Sequence, residues 1–385
     1  MTVAFLVRSL GCGGAERQLT LLAGRLAQRH AVTILTFYDG DDFFLPDAPA
    51  KLVALGKRGR WDVLRFVRRF RAEIRRIRPD VVYAFMNTAG LLALAAPRSA
   101  NGPAIAWGIR SSNMDLRRYG LVPRALRRLE AALSRWSDVA IANSEAGRRE
   151  ALADGFHTRI VVVPNGIDTA RFRPDAAGGR ARREEWGIPA GATVIGIVGR
   201  HDPMKGYEVF LKAAARYALA DRTARYVLIG SGPVSYTSQL KRLVAQLALE
   251  DRVIWAGQTA DMPSCYSGMD LFTSASLFGE GFSNAVAEAM ACGAPCVVTN
   301  VGDAPSIVGD LGVVVPPDAP DALAAAWSST LADASRMGPD AGDLRRARIV
   351  ERFSDAAMVR RSEAVLEEVV ARRQTAQPAA RRLIH

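Results

Sequence analysis

The sequence predicts an α/β protein built from two doubly wound parallel sheets. Short apolar or β-branched runs alternate with helical segments along nearly the whole chain of 385 residues. The strands predicted at residues 3–7 and 193–198 each run into a glycine-containing turn that is followed by a helix. A chain of this length is expected to form two domains of ordinary size.

The first half alternates strands with amphipathic helices. Strands are predicted at residues 3–7, 32–37, 81–85, 105–109, 139–142 and 160–163, and helices at 16–28, 61–78 and 124–136. The helix at 61–78 carries seven arginines. The residues expected to face inward on the two later helices are Val63, Phe66, Val67, Phe70, Ile74, Ile77, Leu126, Leu129, Leu133 and Trp136. Ser144 is a candidate cap for a following helix.

The second half repeats this alternation. Strands are predicted at residues 193–198, 225–230, 253–256, 271–273, 296–299 and 313–315. Helices are predicted at 207–217, 235–248, 284–292, 319–334 and 344–373. The polar, Gly-, Pro- and Arg-rich stretch 171–192 is the best candidate for the domain boundary, and the tail 374–385 is expected to be disordered.

Composition excludes several classes of protein. Hydrophobic residues make up 49% and charged residues 23% of the chain, as in globular proteins. We see no signal peptide at the start, and the most apolar run, 91–97, is far too short to cross a membrane. Four cysteines suggest a reducing, cytoplasmic setting. The Cys292–Cys296 pair has no accompanying Cys or His cluster, so a zinc site is not expected.

Charge is distributed unevenly along the chain. Residues 1–168 hold 26 Lys and Arg against 15 Asp and Glu, whereas residues 169–385 hold 25 against 24. The excess predicts an anionic partner for the first half. The two Arg-rich helices are either solvated faces or a patch that rests on anionic lipid, and we favour the lipid. Nucleic acid is disfavoured, because aromatic residues do not alternate with the arginines as stacking platforms would.

Two carboxylates in the stretch 274–303 form the main candidate site. Glu280 lies in a glycine-rich loop, and Glu288 follows about one and a half turns into a predicted helix. The free N–H groups at the start of this helix offer an anion pocket, and the flanking carboxylates could accept from sugar hydroxyls. This layout suits a nucleotide-sugar. The alternative is an acidic loop followed by a solvated helix glutamate.

The segment EGFSNAVAEAMACGAPCV closely resembles the E-x7-E signature of the retaining GT-B glycosyltransferases of family 4. The segment PNGIDTARF also resembles the family's sequence at its domain junction. The resemblance implies two Rossmann-like domains facing across a cleft, with a C-terminal helix that crosses back to the first domain. The implied ranges are 1–170 for acceptor binding, 171–355 for nucleotide-sugar binding, and 356–373 for the returning helix.

The resemblance also assigns roles to individual residues. Arg200 and Lys205 would hold the donor diphosphate, Glu280 the hydroxyls of the donor sugar, and Glu288 the ribose. Arg200, Lys205 and Glu280 are therefore the catalytic candidates. The further substrate-binding candidates are Gly13, Gly14, Arg110, Asn143, Gly257, Gln258, Gly281, Phe282, Ser283, Asn284 and Ala285. No metal is implied, because cationic side chains take its place.

Two positions are not explained by the family pattern. Relatives often carry His or Asp after the strand at 105–109, whereas this chain has Arg110, which could serve the donor phosphate or the acceptor. His201 follows Arg200 where the family needs no histidine, and a surface or packing role is expected for it.

The predicted function is a metal-independent, retaining hexosyltransferase. It would use a UDP- or GDP-linked sugar as substrate, need no cofactor, and extend a lipid-linked saccharide of a surface polysaccharide on the cytoplasmic face of the membrane. Two alternatives remain: a nucleotide-sugar epimerase on the same fold, and a non-enzymatic nucleotide-sugar-binding protein. An NAD dehydrogenase is disfavoured, since the loop at 11–14 lacks the spaced third glycine and a ribose-binding acid in register.

Overall fold

The computed structural model describes residues 1–11, 13–40, 50–59, 61–97, 102–110, 121–337 and 340–381. The chain divides into two compact units. The first unit consists of Met1–Gly166 and Asp355–His385, and the second of Ile167–Ser354. The chain therefore passes from one unit to the other at 166/167 and at 354/355, compared with 170/171 and 355/356 in the sequence-based division.

The first unit contains a parallel sheet of seven strands among the described residues, in the order β3-β2-β1-β4-β5-β6-β7. The strands are β1 (Thr2–Val7), β2 (Ala31–Thr36), β3 (Lys51–Ala54), β4 (Val81–Phe85), β5 (Ala104–Ile109), β6 (Val139–Ala142) and β7 (Ile160–Val162). The sequence predicts all of them except β3. This four-residue strand lies at the sheet edge and buries none of its residues fully, so its apolar pattern is weak.

Helices follow the strands of the first unit. They are α1 (Gly14–Leu26), α2 (Val63–Ile77), α3 (Asn87–Ala93), α4 (Leu121–Ser134) and α5 (Glu145–Ala153). Alternate residues of β1 enter two hydrophobic clusters, with Phe5 in one and Leu6 in the other, so the sheet is buried on both faces. The predicted cap is confirmed, because Ser144 Oγ accepts a hydrogen bond from the N–H of Gly147 at 2.9 Å.

The inward face predicted for α2 is correct only in part. Phe66, Phe70 and Ile74 are buried, but Val63 is 52% exposed. The first residue of α2 that packs on the core is Phe66. The first turn of the helix therefore lies outside the core, as does Trp61, which is 90% exposed. The start of α2 therefore presents apolar side chains to solvent.

The inward face predicted for α4 is wrong. Leu126, Leu129 and Trp136 are 46%, 47% and 45% exposed, and Leu133 is only half-buried, whereas Ala131 is buried. The leucine spacing therefore marks an outward stripe.

Polar contacts explain the orientation of α4. Arg127 Nε lies 2.6 Å from the Asp154 carboxylate, and its guanidinium stacks over the Phe156 ring at 5.3 Å. Glu130, which is only 3% exposed, lies on the same side of the helix. These contacts hold the Arg127 face of α4 against the end of α5, and a leucine pattern alone does not reveal them.

The second unit contains a parallel sheet of six strands among the described residues, in the order β10-β9-β8-β11-β12-β13. The strands are β8 (Val194–Val198), β9 (Arg225–Ile229), β10 (Val253–Gly257), β11 (Leu271–Ser274), β12 (Cys296–Thr299) and β13 (Val313–Val315). The helices are α6 (Ala176–Glu185), α7 (Tyr207–Ala220), α8 (Val234–Gln246), α9 (Met262–Ser267), α10 (Asn284–Ala291), α11 (Ala304–Val308), α12 (Pro320–Met337) and α13 (Asp340–Phe353). Short 3₁₀ turns lie at Pro203–Lys205 and Gly309–Leu311.

The stretch 171–192, predicted as the domain boundary, begins four residues after the observed crossing at 166/167 and contains α6, which packs within the second unit. Asp175 caps α6 by accepting from the N–H of Gly178 at 2.9 Å. A Cβ on Gly179 would stand only 2.6 Å from the carbonyl oxygen of Ser267, so α6 approaches the end of α9 very closely. The polar composition of this stretch reflects its outward face rather than irregular structure.

The C-terminal helix α14 (Asp355–Arg381) belongs to the first unit. Met358, Leu366 and Val369 join the same hydrophobic cluster as α1. The predicted stretch 344–373 is two helices, since Ser354 separates α13 from α14 and pairs with Ile167 in an isolated bridge. The expectation of disorder over 374–385 is wrong for residues 374–381, where Ala, Gln and Arg continue the helix. Residues 382–385 lie outside the described residues.

None of the helices in the described part of the chain is both long enough and apolar enough to cross a membrane. Together the two parallel sheets with alternating helices confirm the predicted fold class of two Rossmann-like units.

Candidate active site

The segment from β11 to β12 carries both candidate carboxylates. The loop 275–283 connects β11 to α10, and α10 ends at Ala291, one residue before the predicted end. Gly293 has φ +82°, a conformation that a residue with a side chain rarely adopts, and Pro295 follows. The predicted loop, helix and strand are therefore all present in their expected order.

Two loops at the carboxyl edge of the second sheet are held together by backbone contacts. The N–H of Leu277 donates to the carbonyl oxygen of Met204 at 2.8 Å. Gly206 has φ +67°, and a Cβ there would lie 1.9 Å from the carbonyl oxygen of Ala275. Only glycine fits at this position, so the β8–α7 loop can rest directly on the β11–α10 loop.

Lys205 and Glu280 meet where these two loops touch. Lys205 Nζ donates a short hydrogen bond to Glu280 Oε1, and Ser276 Oγ donates to the same oxygen at 2.8 Å. The Glu280 side chain is 9% exposed and that of Lys205 is 24% exposed. Thr299 Oγ1 fixes the Ser276 backbone by donating to its carbonyl oxygen at 2.6 Å. A cation and an anion are therefore paired at a partly open position.

The loop that carries Glu280 is also held from its other side. The N–H of Asp303 donates to the carbonyl oxygen of Gly281 at 2.9 Å. Gly302 has φ +61°, and a Cβ there would stand 2.5 Å from the carbonyl oxygen of Glu280. Close backbone packing on both sides fixes the Glu280 carboxylate in place.

Arg200 lies at the start of the turn that ends at Lys205, but it does not join the Lys205–Glu280 pair. Its Nη2 lies 2.8 Å from Asp202 Oδ2, and its side chain is 66% exposed. Asp202 Oδ1 accepts from the N–H of Met204 at 3.0 Å and so orders the turn. The structure thus brings two of the three catalytic candidates into contact and leaves Arg200 paired with Asp202.

Glu288 is buried in α10, with 4% of its surface exposed. The hydroxyl of Tyr266, on α9, donates to Glu288 Oε2 at 3.0 Å. The alternative of a solvated helix glutamate is therefore wrong. Its predicted contact with ribose stays a prediction.

The start of α10 presents backbone rather than side chains. The Phe282 ring packs on Phe353 at 5.3 Å in the core of the second unit, so a ligand could meet only its main chain. Ser283 occupies the N-cap position without a side-chain cap bond, and Asn284 and Ala285 form the first turn. The N–H groups of this turn remain the predicted anion contact, with Gly281 at the preceding bend.

A cavity of about 390 Å³ lies beyond the ends of β8, β9 and β10. Its lining includes His201, Thr237, Trp255 and Gly257, and Gln258 follows as an exposed residue. Gly257, one of the predicted substrate contacts, therefore lines this cavity.

His201 is buried rather than on the surface. Its ring packs edge-on against Tyr207 at 4.9 Å and Trp255 at 5.8 Å, which confirms a packing role. Its Nδ1 lies 3.0 Å from Thr237 Oγ1, while its buried Nε2 has no hydrogen-bond partner within the part of the chain that the structure describes. Burial lowers the pKa of His201, so the ring is neutral at pH 7. Sequence reasoning missed this cavity position, although His201 lies in the loop that follows β8.

The glycine loop of the first unit leads into α1. Gly13 is the N-cap residue and Gly14 begins the helix. A Cβ on Gly13 would stand 2.1 Å from the carboxylate of Glu16, so this carboxylate lies against the helix start. The predicted phosphate contact at Gly13 and Gly14 stays a prediction.

Arg110 and Asn143 follow neighbouring strands of the first sheet. Asn143 Nδ2 donates to the carbonyl oxygen of Arg110 at 3.3 Å, and the Asn143 side chain is buried. The Arg110 guanidinium stacks 3.9 Å from the centre of the Phe85 ring and donates a short hydrogen bond to the Tyr83 hydroxyl. The sequence proposes both residues, but their contact with each other follows from the pairing of β5 with β6.

A group of potential metal ligands lies in the first unit, away from the predicted residues. Within the described ranges it consists of His30, Glu363 and Glu367. Glu363 is already paired with His30 at 2.6 Å and with Arg29 at 2.8 Å. These contacts describe an ion-pair network that fastens α14 to the end of α1.

Two family models match the chain. The model described as Glycosyltransferase Family 4 matches residues 12–171, and the model described as Glycosyl transferases group 1 matches residues 192–333. The first match lies almost wholly in the first unit and the second match lies in the second unit, so each unit corresponds to one of the two family models.

Curated relatives are glycosyltransferases. The D-inositol 3-phosphate glycosyltransferase of Salinispora arenicola is 36% identical over 53% of this chain and 47% of its own length. The lipopolysaccharide core biosynthesis mannosyltransferase LpsB of Rhizobium meliloti is 30% identical over 53% of this chain and 58% of its own length. The chain spans about half the length of the curated relatives that it first matches.

Solved structures share the fold. Anabaena HepE in complex with UDP superposes with a TM-score of 0.85 at 22% identity, over 96% of this chain and 100% of HepE. Sucrose-phosphate synthase of Thermosynechococcus elongatus gives a TM-score of 0.81 at 20% identity, over 96% of this chain and 100% of that one. On its family-model matches and its fold, the chain belongs to glycosyltransferase family 4 and has the GT-B architecture of two Rossmann-like units.

Proposed function

We propose that the protein is a retaining glycosyltransferase that moves a sugar from a UDP- or GDP-linked donor to a saccharide acceptor. The observation that carries the proposal is the cluster of Lys205, Glu280 and Ser276 beside the start of α10. This cluster combines a cation, a buried carboxylate and the N-terminal turn of a helix within one unit. A diphosphate and a sugar that are joined to each other need this combination of groups.

Binding of the donor would rearrange the Lys205–Glu280 pair. A diphosphate carries more negative charge than one carboxylate, so Lys205 would turn to it. Glu280, still held by Ser276, would then accept from the hydroxyls of the donor sugar. The exposed Arg200 can leave Asp202 at little cost, because surface ion pairs contribute only about 0–1 kcal/mol.

In the transfer step the acceptor oxygen bonds to the anomeric carbon while the bond from that carbon to the phosphate oxygen breaks. The nucleoside diphosphate takes the electron pair, and the acceptor proton passes to the departing phosphate oxygen on the same face of the sugar. Lys205, Arg200 and the N–H groups of α10 stabilise the charge that develops on the diphosphate. These groups would do the work that a metal ion does in other transferases.

Glu288 would bind the ribose of the nucleotide. Tyr266 donates to Glu288 Oε2 at 3.0 Å, and this bond helps to fix the orientation of the carboxylate that would accept from a ribose hydroxyl. Support for the nucleotide class comes from HepE, which was solved with UDP and with UDP-glucose, and from a Mycobacterium tuberculosis relative named as GDP-mannose-dependent. That relative is 28% identical over 67% of this chain and 68% of its own length.

The acceptor is proposed to be a lipid-linked saccharide of a surface polysaccharide, reached from the cytoplasmic face of the membrane. The start of α2 exposes Trp61 and Leu64, at 90% and 76%, next to the exposed Arg65 and Arg68. Apolar side chains flanked by arginines are typical of segments that lie in a membrane interface. The names of two relatives refer to lipopolysaccharide core and to phosphatidylinositol monomannoside.

A panel of nucleotide-sugars tests the proposed reaction. Hydrolysis or transfer by the full chain should be confined to one or two donors, and Lys205→Ala and Glu288→Ala should each abolish it. Lys212→Ala and Glu250→Ala are matched controls on exposed positions of the same unit. Full activity in both site variants would overturn the proposal. Conversion of the donor to an epimer without acceptor would favour an epimerase, and binding without turnover would favour a sensor.

Anionic vesicles test the membrane contact. The double variant Arg65→Glu/Arg68→Glu and the double variant Trp61→Ser/Leu64→Ser should each weaken binding by at least tenfold, and added salt should weaken binding of the wild type. The control Arg222→Glu/Arg242→Glu makes the same charge reversal at exposed positions of the second unit. Equal loss in the control, or no loss in either α2 variant, would refute the contact.

A further inference from the structure

Arg110 has a half-buried cationic side chain that makes no ion pair among the described residues. Its Nε is shielded from solvent and has no hydrogen-bond partner within the same ranges. Burial lowers the pKa of the guanidinium, although the Tyr83 hydroxyl opposes this shift. An uncompensated buried charge is costly to keep, so such a group is a candidate for ligand binding rather than for stability.

The surroundings of Arg110 fix its orientation. The guanidinium stacks on Phe85, one terminal nitrogen donates to the Tyr83 hydroxyl, and the other lies 3.5 Å from Asn165 Oδ1. Gly108 makes room for it, since a Cβ there would be 3.4 Å from Arg110 Nε and 2.7 Å from a backbone oxygen. A planar cation held in this way is suited to an anion with two oxygens.

A second unsatisfied group lies beside it. Asn143 is 97% buried, since only 3% of its surface is exposed, and its Oδ1 has no hydrogen-bond partner among the described residues. Its Nδ2 donates to the Arg110 carbonyl oxygen, so the amide is anchored and its oxygen is oriented. Buried polar atoms are rarely left without partners, and those that are require an explanation.

We propose that Arg110 and Asn143 form a subsite for an acidic saccharide acceptor, a sugar that carries a carboxylate or a phosphate. The guanidinium binds the anionic group, and the amide oxygen of Asn143 accepts from a neighbouring sugar hydroxyl. The subsite lies at the carboxyl ends of β5 and β6, the edge of a parallel sheet at which α/β proteins bind ligands. This assignment rests on the proposed glycosyltransferase function and specifies the class of its acceptor.

Binding to the UDP-saturated full chain tests the subsite, with D-glucuronate, D-glucose 6-phosphate and D-glucose as probes. At least one acidic sugar should bind at least tenfold more tightly than glucose. Arg110→Gln should weaken that binding at least tenfold and leave glucose unchanged. Arg148→Gln, which removes an exposed arginine of the same unit, should change neither. Equal affinity for the three sugars, or unchanged affinity in Arg110→Gln, would overturn the proposal.

One further variant and a measurement of UDP affinity separate the remaining explanations. If Arg110→Gln does not fold, Arg110→Lys keeps the charge but loses the planar fork, and it should still bind the acidic sugar at least threefold more weakly than the wild type. UDP affinity should be unchanged in both variants. A tenfold loss of UDP affinity instead, with acidic-sugar binding retained, would assign Arg110 to the donor diphosphate and overturn the proposal. Failure of the wild type to bind UDP would contradict the proposed function, and the same sugar measurements without UDP would then test the subsite by themselves.

Discussion

The candidate site cations of the two units, Lys205 and Arg110, have different surroundings. In the second unit Lys205 is paired with Glu280, which a serine also holds. In the first unit Arg110 has an aromatic ring, a phenol and an amide around it, and no carboxylate among the described residues. A cation with an internal partner can exchange it for a ligand, whereas a cation without one depends on the ligand for its counter-charge. Under the proposed assignment, the donor site would be neutral before the ligand binds, while the acceptor site would carry a positive charge.

The strongest test of the preformed donor site is removal of its cation. Lys205→Ala should lower transfer by about 100- to 1,000-fold, because a fixed charge at the leaving group is lost. The expected fall is in turnover, measured at saturating donor. Lys212→Ala serves as the control, and a loss below threefold in Lys205→Ala would contradict the role.

The close contact between the two loops of the donor site gives the next largest effect. Gly206→Ala should lower the free energy of unfolding by about 2–3 kcal/mol, because the new Cβ would meet the Ala275 carbonyl oxygen at a positive φ. Gly191→Ala is a matched control, since Gly191 also has positive φ, +78°, but nothing within 4 Å of its Cβ position. Urea unfolding of both variants gives the comparison. Equal losses would show that the contact with Ala275 is unimportant.

If Lys205 exchanges Glu280 for the diphosphate, one substitution should have opposite effects on UDP binding and on sugar transfer. In Glu280→Gln, Lys205 loses its internal partner, so UDP should bind several-fold more tightly. Transfer should nevertheless fall about tenfold, because the amide holds the donor sugar hydroxyls less well than the carboxylate. Calorimetry with UDP and a turnover assay separate the two effects. Weaker UDP binding in this variant would contradict the exchange.

The smallest effect concerns another incompletely neutralised charge in the first unit. Burial raises the pKa of Glu130 to about 7, and the 3.9 Å contact with Arg127 only partly offsets it. The folded protein then binds more protons than the unfolded chain between pH 4.5 and 7. The contribution of protonated Glu130 to the free energy of unfolding is fully present below pH 4.5 and is lost as the pH rises through 7.

Glu130→Gln should therefore flatten the fall in unfolding midpoint between pH 5 and 8 and leave the protein more stable at pH 8. Urea midpoints across this range measure the slope. Glu184→Gln, at an exposed position of the second unit, should leave the slope unchanged. A wild-type midpoint that does not fall with pH would contradict the raised pKa.

The sequence predicted most strands, and the order of loop, helix and strand around the candidate donor site, because these depend on local patterns. Buried parallel strands are continuous apolar runs, and the Gly293–Pro295 stop is a local backbone signal. The contact between Lys205 and Glu280, 75 residues apart, could be expected only from the fold, because both follow strands of one sheet.

Other features could not be predicted, because tertiary contacts decide them. The leucines of α4 have helical spacing, but the bond from Arg127 to Asp154 turns them outward. For His201 the sequence leaves a surface role and a packing role open, and only its contacts with Tyr207 and Trp255 decide for packing. Arg110 Nε and Asn143 Oδ1 have no partner in the ranges that the structure describes, and no sequence pattern indicates this, because it depends on contacts between distant segments.

A crystal structure of the protein with UDP tests the central claim most directly. We expect Lys205 Nζ within about 3 Å of a diphosphate oxygen, with its bond to Glu280 broken and Glu280 still held by Ser276. A UDP molecule bound elsewhere, with the Lys205–Glu280 pair intact, would contradict the account.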